Sequence, residues 1–189
     1  MVRAAILHEG HPGKSEDNWL LKNLISELGL SESQFEFYGV RGKSNFYKSE
    51  MWFYTELQEL VQDGQINKLL FVMDADYTKN DQSCGGYANT LKSWQEVTAI
   101  LGFEQISSLY ITCDPRTQEG YLESLLLSTL DDEKVACIQA FLDCSDFTSK
   151  ENHKAILNQI YKIAYPQAPF DLKHPHFDEL KTKLRELVA

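Results

Sequence analysis

Positive charge, cysteine, proline and long apolar runs are all scarce in this chain. Its 189 residues carry 18 Lys and Arg against 28 Asp and Glu, a formal net charge of -10 at pH 7. A surface of that sign repels nucleic acid unless a basic patch or a bound cation offsets it, which argues against a plain DNA-binding module. An enzyme that meets phosphates through metal ions stays open, because clustered carboxylates need cations and then present positive charge. The 4 cysteines, Cys84, Cys113, Cys137 and Cys144, lie far apart and form no C-x-x-C pair, so neither a zinc knuckle nor a disulfide framework is indicated. They read as reduced thiols, with Cys113 and Cys137 in the core. No run approaches the roughly 20 apolar residues of a membrane span, and the apolar stretch after Arg3 is too short for a signal peptide. The expectation is a soluble, cytoplasmic protein with no membrane partner. Of 5 prolines, Pro166 and Pro169 punctuate one gap near the C-terminus, and no repeat, low-complexity segment or long linker appears.

What is present is apolar and aromatic material, 43% and 12% of residues, which suits one domain with a sizeable core. Apolar runs alternate with helix-period segments. Strands are expected at Val2–His8, Phe35–Val40, Lys68–Met73 and Ser108–Cys113. After the first, Trp19, Leu20, Leu24, Ile25 and Leu28 recur at helical spacing, with Gly29 as the stop. After the second, a helix over Ser49–Gln62 carries Trp52, Phe53, Leu57, Leu60 and Val61. After the third come a polar loop from Asp76 to Gly86 and a helix over Tyr87–Leu101. Such alternation predicts an α/β fold, a mainly parallel sheet of about four strands with helices on both faces. Beyond residue 115 the pattern is helical, at Tyr121–Leu130, Glu133–Leu142, Lys150–Ala164 and His176–Val188. Residues 1–115 thus form an α/β core and 116–189 a helical C-terminal part packed on it, one domain in all. Trp52, Phe53, Trp94 and Phe141 are expected in the core.

The stretch "HEGHPGKSEDNWLL" ends an apolar run with Gly13-Lys14-Ser15, the tail of a P-loop, and "KLLFVMD" offers a Walker B strand ending at Asp74. The position of the first P-loop glycine, however, is His8, and Pro12 removes a backbone donor from the cradle. A plainer reading makes Ser15 a helix cap, with Glu16 and Asp17 on the positive end of the helix.

The carboxylates form a better pattern. Glu9 stands at the tip of the first strand and Asp74 and Asp76 at the tip of the third, where i and i+2 side chains share a side while Ala75 turns away. Three carboxylates meeting at one sheet end suit magnesium or manganese. Arg41, Lys43 and Lys48, with Phe46 and Tyr47, either grip a phosphate backbone or form a solvated helix start over a buried aromatic.

"ILHEG" followed by a helix, with "LLFVMDAD" at a later strand tip, resembles the TOPRIM domain, whose hallmarks are a glutamate-glycine after the first strand and an aspartate-x-aspartate after the third. "VRGKSNFYKSEMWFYTELQELV" and "LYITCDPRTQEGYLESLLLSTL" resemble the small TOPRIM-like proteins related to OLD-type nucleases, as does the tail through "HPHFDELKTKLREL". The resemblance implies a Rossmannoid sheet and magnesium-dependent phosphodiester chemistry of nuclease type on nucleic acid. It also implies roles. Glu9 matches the motif glutamate, a metal ligand or general base, and Asp74 and Asp76 match the paired magnesium-holding aspartates. Glu123 matches the glutamate of the helix-start motif, and Gly10, Lys14, Glu16, Arg41, Lys43 and Asp114 would support the ligands or meet phosphate. Three departures stand out: His8 replaces an apolar residue, His11-Pro12-Gly13 reads as an insertion before Glu16, and Asp114-Pro115 reverses the family's Pro-Asp order. A non-catalytic binding or regulatory module working with a partner ATPase is the alternative, and a degenerate P-loop NTPase a third.

Overall fold

The computed structural model describes residues 3–13, 15–144, 159 and 172–189. Four strands, β1 (Arg3–His8), β2 (Phe35–Gly39), β3 (Ile66–Asp74) and β4 (Ser107–Thr112), pair in parallel in the order β2-β1-β3-β4. The helices are α1 (Glu16–Glu27), α2 (Trp52–Gln62), α3 (Tyr87–Leu101), α4 (Leu122–Leu127), α5 (Asp132–Cys144) and α6 (Asp178–Glu186). Apart from Gln159, the helix expected over Lys150–Ala164 lies outside the described residues.

Period-2 alternation sorts the two cores. Ala4 and Ile6 of β1 and Leu70 and Val72 of β3 face α1, α4 and α6, while Ala5, Leu7, Leu69, Phe71 and Met73 face α2 and α3. The chain moves outward from β1 to β2 and then reverses, passing β1 to reach β3 and β4. Right-handed crossovers then require α1 on one face and α2 and α3 on the other, as the two cores have it. The reversal leaves a crevice beyond the carboxyl ends of β1 and β3, the place where α/β sheets bind ligands.

Local signals explain the element ends. Ser15 caps α1 by accepting the Asn18 N–H at 3.2 Å, and Gly29 follows the helix at φ 68. α2 starts at Trp52 rather than Ser49, because a 3-10 turn at Lys43–Asn45 and further turns occupy the connection. The last helix starts at Asp178, after a 3-10 turn at Pro175–Phe177.

Several expected core residues lie outside it. Trp52 is 63% and Phe141 46% exposed, and Cys137 is exposed. The inward face of α2 is set by Phe53, Tyr54 and Leu57, leaving Trp52 at its outer edge. On α5, Val135, Ile138 and Leu142 lean on the core, and helical period turns Cys137 and Phe141 away. Phe53 and Cys113 are buried, and Trp94 is half-buried, edge-on to Phe71. Among the described residues no helix is long and apolar enough to cross a membrane.

Candidate functional site at the carboxyl edge

The crevice is built from the turns that leave β1, β2 and β3. Gly10 follows Glu9 without a positive φ, so it is needed for space rather than for backbone freedom. A Cβ there would stand 2.2 Å from Ser15 Oγ and 2.8 Å from Asp17 Oδ2. The turn at 10–12 lies across the end of β2, where a Cβ on Gly39 would meet Pro12 N at 2.4 Å. Backbone bonds join the two loops: Val40 N–H donates to His8 O at 2.9 Å and Gly42 N–H to Glu9 O at 2.8 Å. The His11-Pro12-Gly13 segment therefore packs on the neighbouring strand rather than over the crevice.

Glu9 and Asp74 meet directly. The Asp74 N–H donates to Glu9 Oε1 at 2.8 Å, which ties the tips of β1 and β3 together. The Asp74 side chain is 4% exposed and lies on the α1 and α4 face. Its Oδ1 accepts the Thr112 hydroxyl at 2.6 Å and the Leu122 N–H at 3.1 Å. A carboxylate so deeply placed is stable only with donors of this kind. A cavity of about 330 Å3 opens beside it, lined by the acidic residues Glu9, Glu16, Asp17, Asp74 and Glu123 together with Gly10, Gly42, Leu122 and Lys43. Glu16 and Asp17 come from the first turn of α1 and Glu123 from that of α4. Behind Asp17, His8 is fully buried, its Nδ1 3.9 Å from Asp17 Oδ2.

Asp76 does not join this wall. β3 ends at Asp74, and Asp76 takes a left-handed φ of 61, so the extended i, i+2 relation fails there. Its backbone pairs with Gly120, N–H to O at 2.6 Å and O from N–H at 3.0 Å, and its Oδ2 lies 3.7 Å from Lys43 Nζ. Lys43, expected to support the ligands or meet phosphate, reaches the cavity wall but is tied down inside the protein. Its side chain is 8% exposed, and Nζ donates to Ala75 O at 2.7 Å, Thr90 Oγ1 at 2.8 Å and Cys84 O at 2.9 Å. An ammonium has three hydrogens, and all three are spent inside the protein.

The other residues are placed apart. Arg41 is exposed at φ 61 and lies outside the cavity wall, its N–H donating to Gly10 O at 3.4 Å. Asp114 pairs with Arg116 at 2.9 Å and lines a separate cavity of about 150 Å3 with Tyr77 and Glu119. Lys14 lies outside the described residues. Burial, reinforced by Asp114, pushes the Cys113 thiol up to about 11, so it is inert rather than nucleophilic. Sequence reasoning missed the donors of Thr112 and Leu122; only the inward parity of Thr112 on β4 hints at the first.

The cavity donors are carboxylate oxygens, the type that suits magnesium or manganese. Among the described residues no three His, Cys, Asp or Glu side chains are grouped closely enough to hold an ion as they stand. Fold and crevice together define an α/β protein with a Rossmann-like parallel sheet and an acidic cleft at its topological switch point. Comparison with protein-family models, with curated proteins and with solved structures finds no match to this chain.

Proposed function

We propose that the chain is a TOPRIM-like protein that takes a divalent cation, magnesium or manganese, in the acidic cavity and acts on phosphodiesters of nucleic acid in the manner of a nuclease. The observation that carries the reading is the convergence of Glu9, Asp74 and Glu123 on one cavity at the switch point of a parallel sheet. Glu9 and Asp74 come from the two strand tips and Glu123 from α4. Glu9, Asp74 and Glu123 would hold the ion, with the Asp74 carboxylate oriented by Thr112 and Leu122. A bound divalent ion would supply Lewis acidity for phosphodiester chemistry. Glu9, at the tip of β1, would serve as metal ligand or general base, and Glu16 and Asp17, from the first turn of α1, add negative charge to the cavity wall.

One observation favours a second reading, a non-catalytic binding or regulatory module partnered by an ATPase: the donors are not grouped around a point in the described residues. Two measurements separate them. Calorimetric titration with magnesium is expected to show binding to the wild-type chain and none to Asp74→Asn; equal binding in both removes the metal site. Plasmid nicking with manganese, lost in Glu9→Gln, supports the nuclease reading. Metal binding without nicking supports the module.

A further inference from the structure

The motif that suggests a pair of metal-holding aspartates is split by the fold, and the second aspartate already faces a cation. We infer that Lys43 is that cation: its ammonium takes the place of a divalent ion at Asp76, so an ion in the acidic cavity is held by Glu9, Asp74 and Glu123 without Asp76. This rests on the reading of the cavity as a metal site and states which residues and how many ions it uses.

Four observations support it. Asp76 Oδ2 lies 3.7 Å from Lys43 Nζ, and both side chains are largely buried, at 13% and 8% exposure. The ammonium cannot swing away to make room, because Ala75 O, Thr90 Oγ1 and Cys84 O hold its three hydrogens at 2.7–2.9 Å. The left-handed φ of Asp76 and its two-way backbone pairing with Gly120 fix the residue off the strand line that Asp74 follows. Asp76 is also absent from the wall of the cavity that Glu9, Asp74 and Glu123 share. A divalent ion on Asp76 would sit against a buried like charge whose hydrogens point to fixed acceptors, and both burial and repulsion oppose that arrangement; in the cavity, whose wall Lys43 also reaches, five acidic residues outweigh its charge. The pair gives the Asp76–Gly86 connection a charge partner from within the chain. From the loop before α2, Lys43 clamps that connection at Cys84 and holds the residue ahead of it, Ala75.

The test is manganese binding to the full chain, read from the loss of the free-ion electron spin resonance signal. One ion per wild-type chain is expected, with unchanged stoichiometry and affinity in Asp76→Asn and no bound ion in Asp74→Asn. Asp76→Ser serves if the asparagine variant does not fold. Two ions on the wild-type chain, or affinity weakened about tenfold or more by the Asp76 substitution, the effect of losing a ligand or its support, would overturn the inference and leave the metal site standing. No ion on the wild-type chain removes the metal site itself. The charge pair is then judged by thermal melting in EDTA. Asp76→Asn is expected to melt below wild type there, and a melting temperature equal to or above wild type overturns the pair.

Discussion

Replacing Thr112 by valine tests the anchoring of Asp74 most directly. The hydroxyl donates to Asp74 Oδ1 at 2.6 Å in a buried setting, with Thr112 2% and Asp74 4% exposed. Valine keeps the β-branched shape that β4 favours, removes the donor, and puts a methyl where the Thr112 Oγ1 now sits, against Asp74 Oδ1. A hydrogen bond to a charged group contributes about 1.5–3 kcal/mol, and the Leu122 N–H that stays behind at 3.1 Å cannot replace it. For 189 residues, an unfolding entropy of about 2.1 cal/mol/K per residue sums to about 0.4 kcal/mol/K. The melting temperature should therefore fall by about 4–8 °C in metal-free buffer. Thr112→Ser, which keeps the hydroxyl, should recover most of the loss. Differential scanning calorimetry on the three proteins decides it. A valine variant that melts within about 1 °C of wild type, a change under 0.5 kcal/mol, would mean that Asp74 does not depend on this donor.

Three further outcomes are expected. Gly10→Ala should cost at least the helix cap, about 1 kcal/mol, because its Cβ would occupy the place of Ser15 Oγ. Chemical denaturation of Gly10→Ala, Ser15→Ala and the double variant should be clearly non-additive, and full additivity would show that the two residues do not compete for space. Under native conditions a disulfide reagent should modify exposed Cys137 and Cys144 quickly and leave Cys113 untouched, since that thiol is both buried and raised to about 11; rapid loss of all four thiols, half-buried Cys84 included, refutes the burial of Cys113 at the end of β4. Burial and the neighbouring His174 hold His176 below its ordinary value, so the folded state binds fewer protons there than the unfolded one. Its contribution is intact above the unfolded value of about 6.5 and is lost as pH falls from there through the folded value. Urea midpoints measured between about pH 7 and 5 should accordingly show a shallower acid decline in His176→Gln, and parallel curves would contradict this.

Much of the fold was legible in the sequence because local patterns carry it. The β1, β3 and β4 runs read correctly to within a residue or two, and α3 over Tyr87–Leu101 matches residue for residue, with its stop at Gly102 in a left-handed φ of 73. Ser15 and Gly29 bracket α1 for reasons internal to that helix. Exposure was less legible: Trp52, Phe141 and Cys137 are apolar by type, and only the position of α2 and α5 against the sheet decides which of their faces is covered.

The site divides along the same line. Glu9 at one strand tip and Asp74 at another follow from apolar runs that end in carboxylates, which is information local to each run. That β1 and β3 are neighbours follows from the reversal of the chain after β2, and only this brings Glu9 Oε1 within 2.8 Å of the Asp74 N–H. The aspartate pair looks equivalent in sequence because extended geometry repeats every two residues. It is not equivalent in the folded chain, where β3 stops at Asp74 and the left-handed turn at Asp76 hands the second carboxylate to Lys43. Strand period is a property of the local backbone and can be read along the chain. The partner of a buried charge is a property of which loops the sheet order brings together, and that order is settled only when the whole chain packs.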